Sequence, residues 1–337
     1  PELNCRESGS TLRFLLPVAA VCGVNARFTG SGRLPERPIG ELMEAMRLHG
    51  VRFSAEQLPF SIEGKLSGGE YVLPGNVSSQ YLTGLLLALP LAKEDSILKL
   101  TTKLESAAYV EMTLRTLRSF GAIVEEQDGT YRIPGSQVYR TPGIIRVEGD
   151  WSNAAFFLAA GALKSRVRLT GLSKLSPQGD QSILSALTRF GAHVQQSSDV
   201  VEVSPGELHG CELDVSETPD LLPILTVLAA NATGETRLVN AARLRYKESD
   251  RLTATANLVN ALGGKAEELP DGLFVSGGGL SGGTVDGCRD HRIVMSAAIA
   301  SIACRESVTI LGADAVNKSY PEFFEDFARL GGNWHVV

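Results

Sequence analysis

Phe120-Gly121-Ala122-Ile123-Val124-Glu125-Glu126 closes an apolar, helix-like run at a glycine and opens a strand-like one. The same passage returns at Gly50 (HGVRF), Gly191 (FGAHVQQ), Gly263 (LGGKAEE) and Gly331 (LGGNW), and the five glycines stand 71, 70, 72 and 68 residues apart. A near-constant period marks one supersecondary unit used repeatedly. Glycine suits the left-handed position just past a helix, so each marker reads as the end of a unit's second helix. The first helices are also legible. Leu12, Leu15, Leu16 and Ala19 fall at i, i+3, i+4 and i+7, and the spacing recurs at Leu82–Leu89, Phe156–Leu163 and Leu221–Leu228. A fifth helix after Asp290-His291-Arg292 reads more weakly, being rich in Ala and Ser. Residues 200–203 and 273–275 read as strands, and Gly277-Gly278-Gly279 with Gly282-Gly283 as a turn-rich hairpin.

The chain's 337 residues exceed one comfortable core. The best division follows Arg140-Thr141-Pro142-Gly143, giving domains of residues 1–143 and 144–337. Two units then precede the boundary and three follow it. Two domains of equal units would balance, so the count predicts a further unit of about 70 residues upstream. A net charge of −6 argues against nucleic acid or an anionic membrane surface as partner. No apolar run reaches the roughly 18 residues of a membrane span, and residues 82–92 read as a buried helix. No signal or transit segment is read. Cys5, Cys22, Cys211, Cys288 and Cys304 are odd in number and lack a CxxC pair, which points to a reducing compartment. A cytoplasmic monomer is the expectation.

Polar residues collect where helices begin. Ser, Thr, Asn and Asp there are ordinary caps. Cations are not, because a helix N-terminus already carries positive partial charge. Arg13, Arg37, Lys247, Arg251, Arg292 and Lys318 all read as lying in or beside a first turn. Such a set builds an anion site if those ends converge, and Arg can grip a phosphate or carboxylate bidentately. Asp220 and Glu248 sit among these cations, where a carboxylate either neutralises charge or, touching a substrate, carries a proton. His291 reads equally as a proton shuttle or as a support for Arg292. No clustered ligand set points to a metal, and no glycine-rich phosphate motif or nucleophile elbow points to a dinucleotide, ATP or serine-hydrolase site.

Several segments together resemble the EPSP synthase (3-phosphoshikimate 1-carboxyvinyltransferase) family nearly end to end. They are Glu7-Ser8-Gly9-Ser10-Thr11-Leu12-Arg13, Leu34-Pro35-Glu36-Arg37-Pro38-Ile39, Val77-Ser78-Ser79-Gln80-Tyr81-Leu82, Val147-Glu148-Gly149-Asp150, Lys247-Glu248-Ser249-Asp250-Arg251-Leu252, Asp290-His291-Arg292 and Lys318-Ser319-Tyr320-Pro321. The resemblance implies an α/β fold, a two-domain inside-out α/β barrel of the enolpyruvyl transferase type. It is built from repeated βαβαββ units, five of six present here, with the active site in the interdomain cleft. It also implies transfer of the enolpyruvyl group of phosphoenolpyruvate to the 5-hydroxyl of shikimate 3-phosphate through a tetrahedral intermediate, without cofactor or metal.

Carried over residue by residue, the resemblance gives Arg37, Arg251, Arg292 and Lys318 the phosphate and carboxylate of phosphoenolpyruvate, with Gln80 nearby and Gly9 leaving room. Ser78, Ser79, Ser106, Tyr109, Asp220 and Lys247 match positions that bind shikimate 3-phosphate. Asp220 takes the role of proton acceptor from the 5-hydroxyl and Glu248 of proton donor to the methylene carbon, with Lys318 sharing in the proton transfers. Gly9 matches the glycine linked to glyphosate inhibition. The chain departs from the pattern at Arg243, where many members carry Asn beside the shikimate ring, at Glu7 for a common Asn and at Phe14 for a common Pro. The family's early Lys-Ser…Arg motif has no counterpart, so little turnover is expected of these 337 residues alone. The rival readings are a UDP-N-acetylglucosamine enolpyruvyl transferase, which would need a reactive loop cysteine, and a noncatalytic binding fragment.

Overall fold

All five marker glycines take positive φ, at 96°, 77°, 105°, 81° and 96°, in a computed structural model that describes residues 1–337. Each ends a helix in the left-handed conformation that costs a side chain about 1–2 kcal/mol.

The first unit runs β1 (Glu2–Asn4), α1 (Gly9–Val21), β2 (Ala26–Thr29), α2 (Gly40–Arg47), β3 (Val51–Phe53) and β4 (Phe60–Gly64). The second repeats it as β5 (Gly69–Leu73), α3 (Ser79–Ala88), β6 (Ser96–Leu100), α4 (Ala107–Ser119), β7 (Glu125–Gln127) and β8 (Thr130–Ile133). The third consists of α5 (Trp151–Leu163), β9 (Val167–Thr170), α6 (Ile183–Phe190), β10 (His193–Gln196) and β11 (Val200–Ser204). The fourth is again complete, with β12 (Glu212–Asp214), α7 (Leu222–Asn231), β13 (Glu235–Val239), α8 (Arg251–Ala261), β14 (Lys265–Leu269) and β15 (Gly272–Ser276). The fifth holds β16 (Gly283–Asp286), α9 (His291–Ser301), β17 (Val308–Leu311) and α10 (Phe323–Arg329).

Pairing follows the repeat. The orders β1-β2-β4-β3, β5-β6-β8-β7 and β12-β13-β15-β14 each start with a parallel pair and continue with two antiparallel ones. A parallel pair cannot be joined by a tight turn, which is why a helix separates its strands each time. The third sheet has the order β10-β11-β9 and the fifth is the parallel pair β16-β17.

Two compact units result, Pro1–Arg146 and Val147–Val337, three residues beyond the boundary drawn from the sequence. Residues 144–147 form no strand, and Ile144 is 96% and Val147 88% exposed. Each unit closes around its own core. That of the first runs from Cys5 to Ile133 and is centred on α1 and α3. That of the second runs from Trp151 to Phe327, with α5, α7 and α9 packed on one another.

Three expectations are corrected. The fifth helix is not weak. His291 through Ala300 are all buried in α9, and its Ala and Ser residues are what a helix surrounded on every side needs for close packing. The glycines of 277–283 do not turn a hairpin, since β15 pairs within the fourth sheet and β16 with β17 in the fifth. Finally, only Arg251 and Arg292 of the six cations occupy a first helical turn. Arg13 lies one turn into α1, Arg37 follows the 3-10 turn Leu34–Glu36, Lys247 follows the turn Ala242–Tyr246, and Lys318 ends the turn Ala313–Lys318. No helix is long and apolar enough to cross a membrane.

Candidate active site

In the first unit the cations gather where α1 begins. Ser8 caps that helix, its Oγ accepting from the Thr11 amide at 3.1 Å. One turn on, Arg13 is only 4% exposed and therefore needs partners for its guanidinium. Its Nη1 donates to Gln80 Oε1 at 2.7 Å, its Nη2 to the Pro38 carbonyl at 2.7 Å, and the group lies 5.5 Å from the Tyr81 ring centre. Gln80, in the first turn of α3, donates its Nε2 to Ser10 Oγ at 2.8 Å. α1, the Pro38 segment and α3 are thus tied by one buried arginine.

Gly9 makes room for this arrangement. A Cβ there would stand 2.8 Å from Arg13 Nη1 and 2.9 Å from Arg37 Cζ, inside the distance that real Cβ contacts reach. Gly9, Arg13, Arg37 and Gln80 therefore form one constellation. Ser78 caps α3 through a 3.3 Å bond from the Gln80 amide, and Ser79 is buried beside it. Ser106 and Tyr109 stand at the start of α4. Ser106 is buried in the left-handed region at φ 56° and does not cap its helix. Non-glycine residues held there are uncommon and concentrate at ligand sites.

In the compact unit Val147–Val337 Arg251 is the centre. It opens α8 with a side chain only 2% exposed, and its three nitrogens fan to three carboxylates. Nε donates to Asp290 Oδ2 at 2.7 Å, Nη1 to Asp220 Oδ1 at 2.7 Å and Nη2 to Glu248 Oε2 at 2.6 Å. Asp290 also accepts from Ser249 Oγ at 2.9 Å and from the Arg292 amide at 3.0 Å, which makes it the cap of α9. Asp220 is met in addition by Arg292 Nη2 at 3.1 Å and Lys247 Nζ at 3.4 Å. Lys318 reaches the same helix start, donating from Nζ to the Arg289 carbonyl at 2.6 Å. Arg243 donates to the Ser216 carbonyl, in the segment leading to Asp220.

The electrostatics follow from these contacts. Burial alone would raise the Asp220 carboxyl, but Arg292, Lys247 and Arg251 outweigh it and hold the group well below the usual carboxylate range. Burial likewise opposes ionisation of Asp290, and Arg251 overcomes it. His291 goes the other way, with burial and then the Arg292 charge lowering it to about 4, so its imidazole is neutral near pH 7. Its Nδ1 lies 4.0 Å from Asp290 Oδ1, beyond hydrogen-bond reach.

The structure thus gathers Asp220, Lys247, Glu248, Arg251 and Arg292 into one cluster and Gly9, Arg37 and Gln80 into another. Arg251 faces three carboxylates, whereas Lys247, Glu248 and Asp220 keep 25%, 19% and 17% of their side chains exposed. Three supporting residues had no assigned role from sequence. Arg13 stood among the cations only, while Asp290 and Ser249 lay inside quoted segments. An Asp just before an apolar helix signals a cap, but nothing local says that the same carboxylate also receives a distant arginine.

Comparison with known proteins adds an independent line. The family model for EPSP synthase (3-phosphoshikimate 1-carboxyvinyltransferase) matches residues 1–327. The 3-phosphoshikimate 1-carboxyvinyltransferase of Clostridium novyi is 44% identical over 336 residues, covering 98% of this chain and 77% of that protein. The solved EPSP synthase of Acinetobacter baumannii superposes with a TM-score of 0.82 at 27% identity, over 98% of this chain and 79% of that one. The enolpyruvyl transferase NikO of Streptomyces tendae shares the fold at a TM-score of 0.76 and 20% identity.

Proposed function

We propose, from a chain that belongs to the EPSP synthase family, a division of labour between its two clusters in that family's reaction. The reaction joins the 5-hydroxyl oxygen of shikimate 3-phosphate to C2 of phosphoenolpyruvate, then breaks the C2–phosphate bond to release phosphate. The observation that carries the assignment is the ionised Asp220 held by Arg292, Lys247 and Arg251.

Arg37, Arg292 and Lys318 hold the anionic groups of phosphoenolpyruvate, with Gln80 serving the same substrate. Arg251 contributes chiefly by fixing Asp220, Glu248 and Asp290 in place. Ser78, Ser79, Ser106, Tyr109, Lys247 and Arg243 receive shikimate 3-phosphate, and the left-handed backbone at Ser106 supports a ligand-facing role.

Asp220 takes the hydroxyl proton and passes it to the departing phosphate. Glu248, protonated at the start of the cycle while it rests on Arg251, delivers its proton to the methylene carbon and takes one back from the resulting methyl group as phosphate leaves. Without substrate Asp220 is a poor base, because its partners stabilise the charged form. Anionic substrates that engage Arg292 and Lys247 weaken those pairings and raise its proton affinity, so binding itself readies the base. Asp220→Asn keeps the shape and removes the base. The expected result is a loss of about 10²–10⁴-fold in kcat with substrate affinity within a few-fold of wild type. Unchanged kcat would assign the proton elsewhere.

The match spans 77% of the length of the C. novyi relative. Calorimetric titration with shikimate 3-phosphate, with and without glyphosate, tests the binding half. Coupled heats mark a competent site, and uncoupled heats a noncatalytic fragment. A cytoplasmic monomer belongs to the same proposal, supported for the compartment by five free thiols.

A further inference from the structure

Lys247 and Glu248 sit in a stretch with no regular structure of its own. Residues 247–250 belong to neither helix nor strand and join the 3-10 turn Ala242–Tyr246 to α8. Glu248 is held directly by Arg251. Lys247 stands 3.4 Å from Asp220 at the end of a flexible stem, and such a charge is placed only as well as the backbone that carries it. The anchoring of this stretch therefore bears on substrate binding.

Arg245, to which the steps above give no task, supplies the anchor. Its Nη1 donates to Asp250 Oδ2 at 3.2 Å and to Glu268 Oε1 at 2.6 Å, and its Nη2 to the carbonyls of Leu269 at 3.1 Å and Pro270 at 3.3 Å. The bond to Asp250 closes residues 245–250 into a loop with Lys247 and Glu248 inside it. The other three tie that loop to the end of β14 and the turn into β15. Asp250 also caps α8, accepting from the Thr253 amide at 3.3 Å, and Thr253 Oγ1 donates to Glu268 Oε2 at 2.7 Å. The entry to the 3-10 turn is fixed to the same hairpin, where the Ala241 amide donates to the Asp271 carbonyl at 2.7 Å. A lone exposed ion pair would contribute little. Arg245 is instead three-quarters buried and meets four acceptors with one planar guanidinium, which a rigid fork can do and a point charge cannot.

Resting on the assignment of Lys247 to shikimate 3-phosphate above, we propose that Arg245 is a positioning residue that acts through Lys247. By closing the loop and tying it to the β14–β15 hairpin, it sets where the Lys247 backbone stands and so where the ammonium meets an anionic substrate. Arg245 touches no substrate itself, so its effect on affinity exists only while the Lys247 charge is there to be placed.

The test is a double-mutant cycle in the 337-residue chain, with shikimate 3-phosphate affinity measured by calorimetry up to millimolar ligand. Arg245→Gln should weaken binding about ten-fold in the wild-type background. In the Lys247→Gln background, already weakened, it should add less than about two-fold. A residue that merely holds the fold, or attracts the anion from a distance, costs the same factor in both backgrounds. That result overturns the inference while leaving the function in place, and so does unchanged affinity in Arg245→Gln. Where Arg245→Gln does not fold, Arg245→Lys takes its place in the cycle. It keeps the charge but not the fork, and a loss of about three-fold is expected in the wild-type background alone. A wild-type chain that binds no shikimate 3-phosphate, or a Lys247→Gln variant that binds it as well as wild type, overturns the functional assignment, and the inference falls with it.

Discussion

A single methyl group separates Gly9 from a different site. The Cβ of Gly9→Ala would meet the far ends of Arg13 and Arg37, and Arg13 is already fixed by Gln80 and the Pro38 carbonyl. The expected outcome is a raised KM for phosphoenolpyruvate, by roughly ten-fold for one weakened charge-assisted contact, together with weaker glyphosate inhibition. Unchanged inhibition in a steady-state assay would separate Gly9 from the inhibitor's site. Residues also leave a signature in pH. His291, lowered to about 4, destabilises the fold as pH falls from about 6.5 toward 4, because the unfolded chain takes up the proton first. Asp180, raised to about 6, does the reverse, adding stability as pH falls from about 6 toward 4. The two oppose each other over nearly the same window. Tm measured from pH 4 to 8 should therefore be flatter in wild type than in either single variant. His291→Asn should gain stability toward acid, and Asp180→Asn should lose it.

Elements were the level of structure most open to reading from sequence. The marker glycines serve one purpose at five places, and that makes their costs comparable. Gly331 has open space around a Cβ, so Gly331→Ala should cost only the left-handed strain, about 1–2 kcal/mol. At Gly191 a Cβ would also lie 2.2 Å from the Glu207 carbonyl, and Gly191→Ala should cost clearly more. Equal losses in urea denaturation would mean that the close approach relaxes freely. Periodicity located the helices because burying one face leaves a 3.6-residue trace. It undervalued α9 because a helix buried all round leaves none. It misread residues 277–283 because a run of glycines reports backbone freedom and not which sheet the next strand joins. Motif order brought Asp220, Glu248 and Arg251 forward as candidates. It could not show that Arg251 spends its guanidinium on three carboxylates, since Asp220 and Asp290 lie 31 and 39 residues from it in the chain.

Across the whole molecule, the two hydrophobic cores share no buried residue, and the stretch from Val138 to Val147 contains no helix or strand. Brief digestion with a protease of broad specificity should cut there first and release two resistant fragments near residues 1–140 and 148–337. Early cleavage inside either core would contradict the division. The fan around Arg251 has a consequence for how ligands arrive. Asp220, Glu248 and Asp290 are set against Arg251, Arg292 and Lys247, so these six groups cancel as seen from a distance. An approaching anion feels little pull from these six groups until it is close enough to draw a cation away from its carboxylate. Capture there is governed by local exchange of partners, and its rate should vary little with ionic strength.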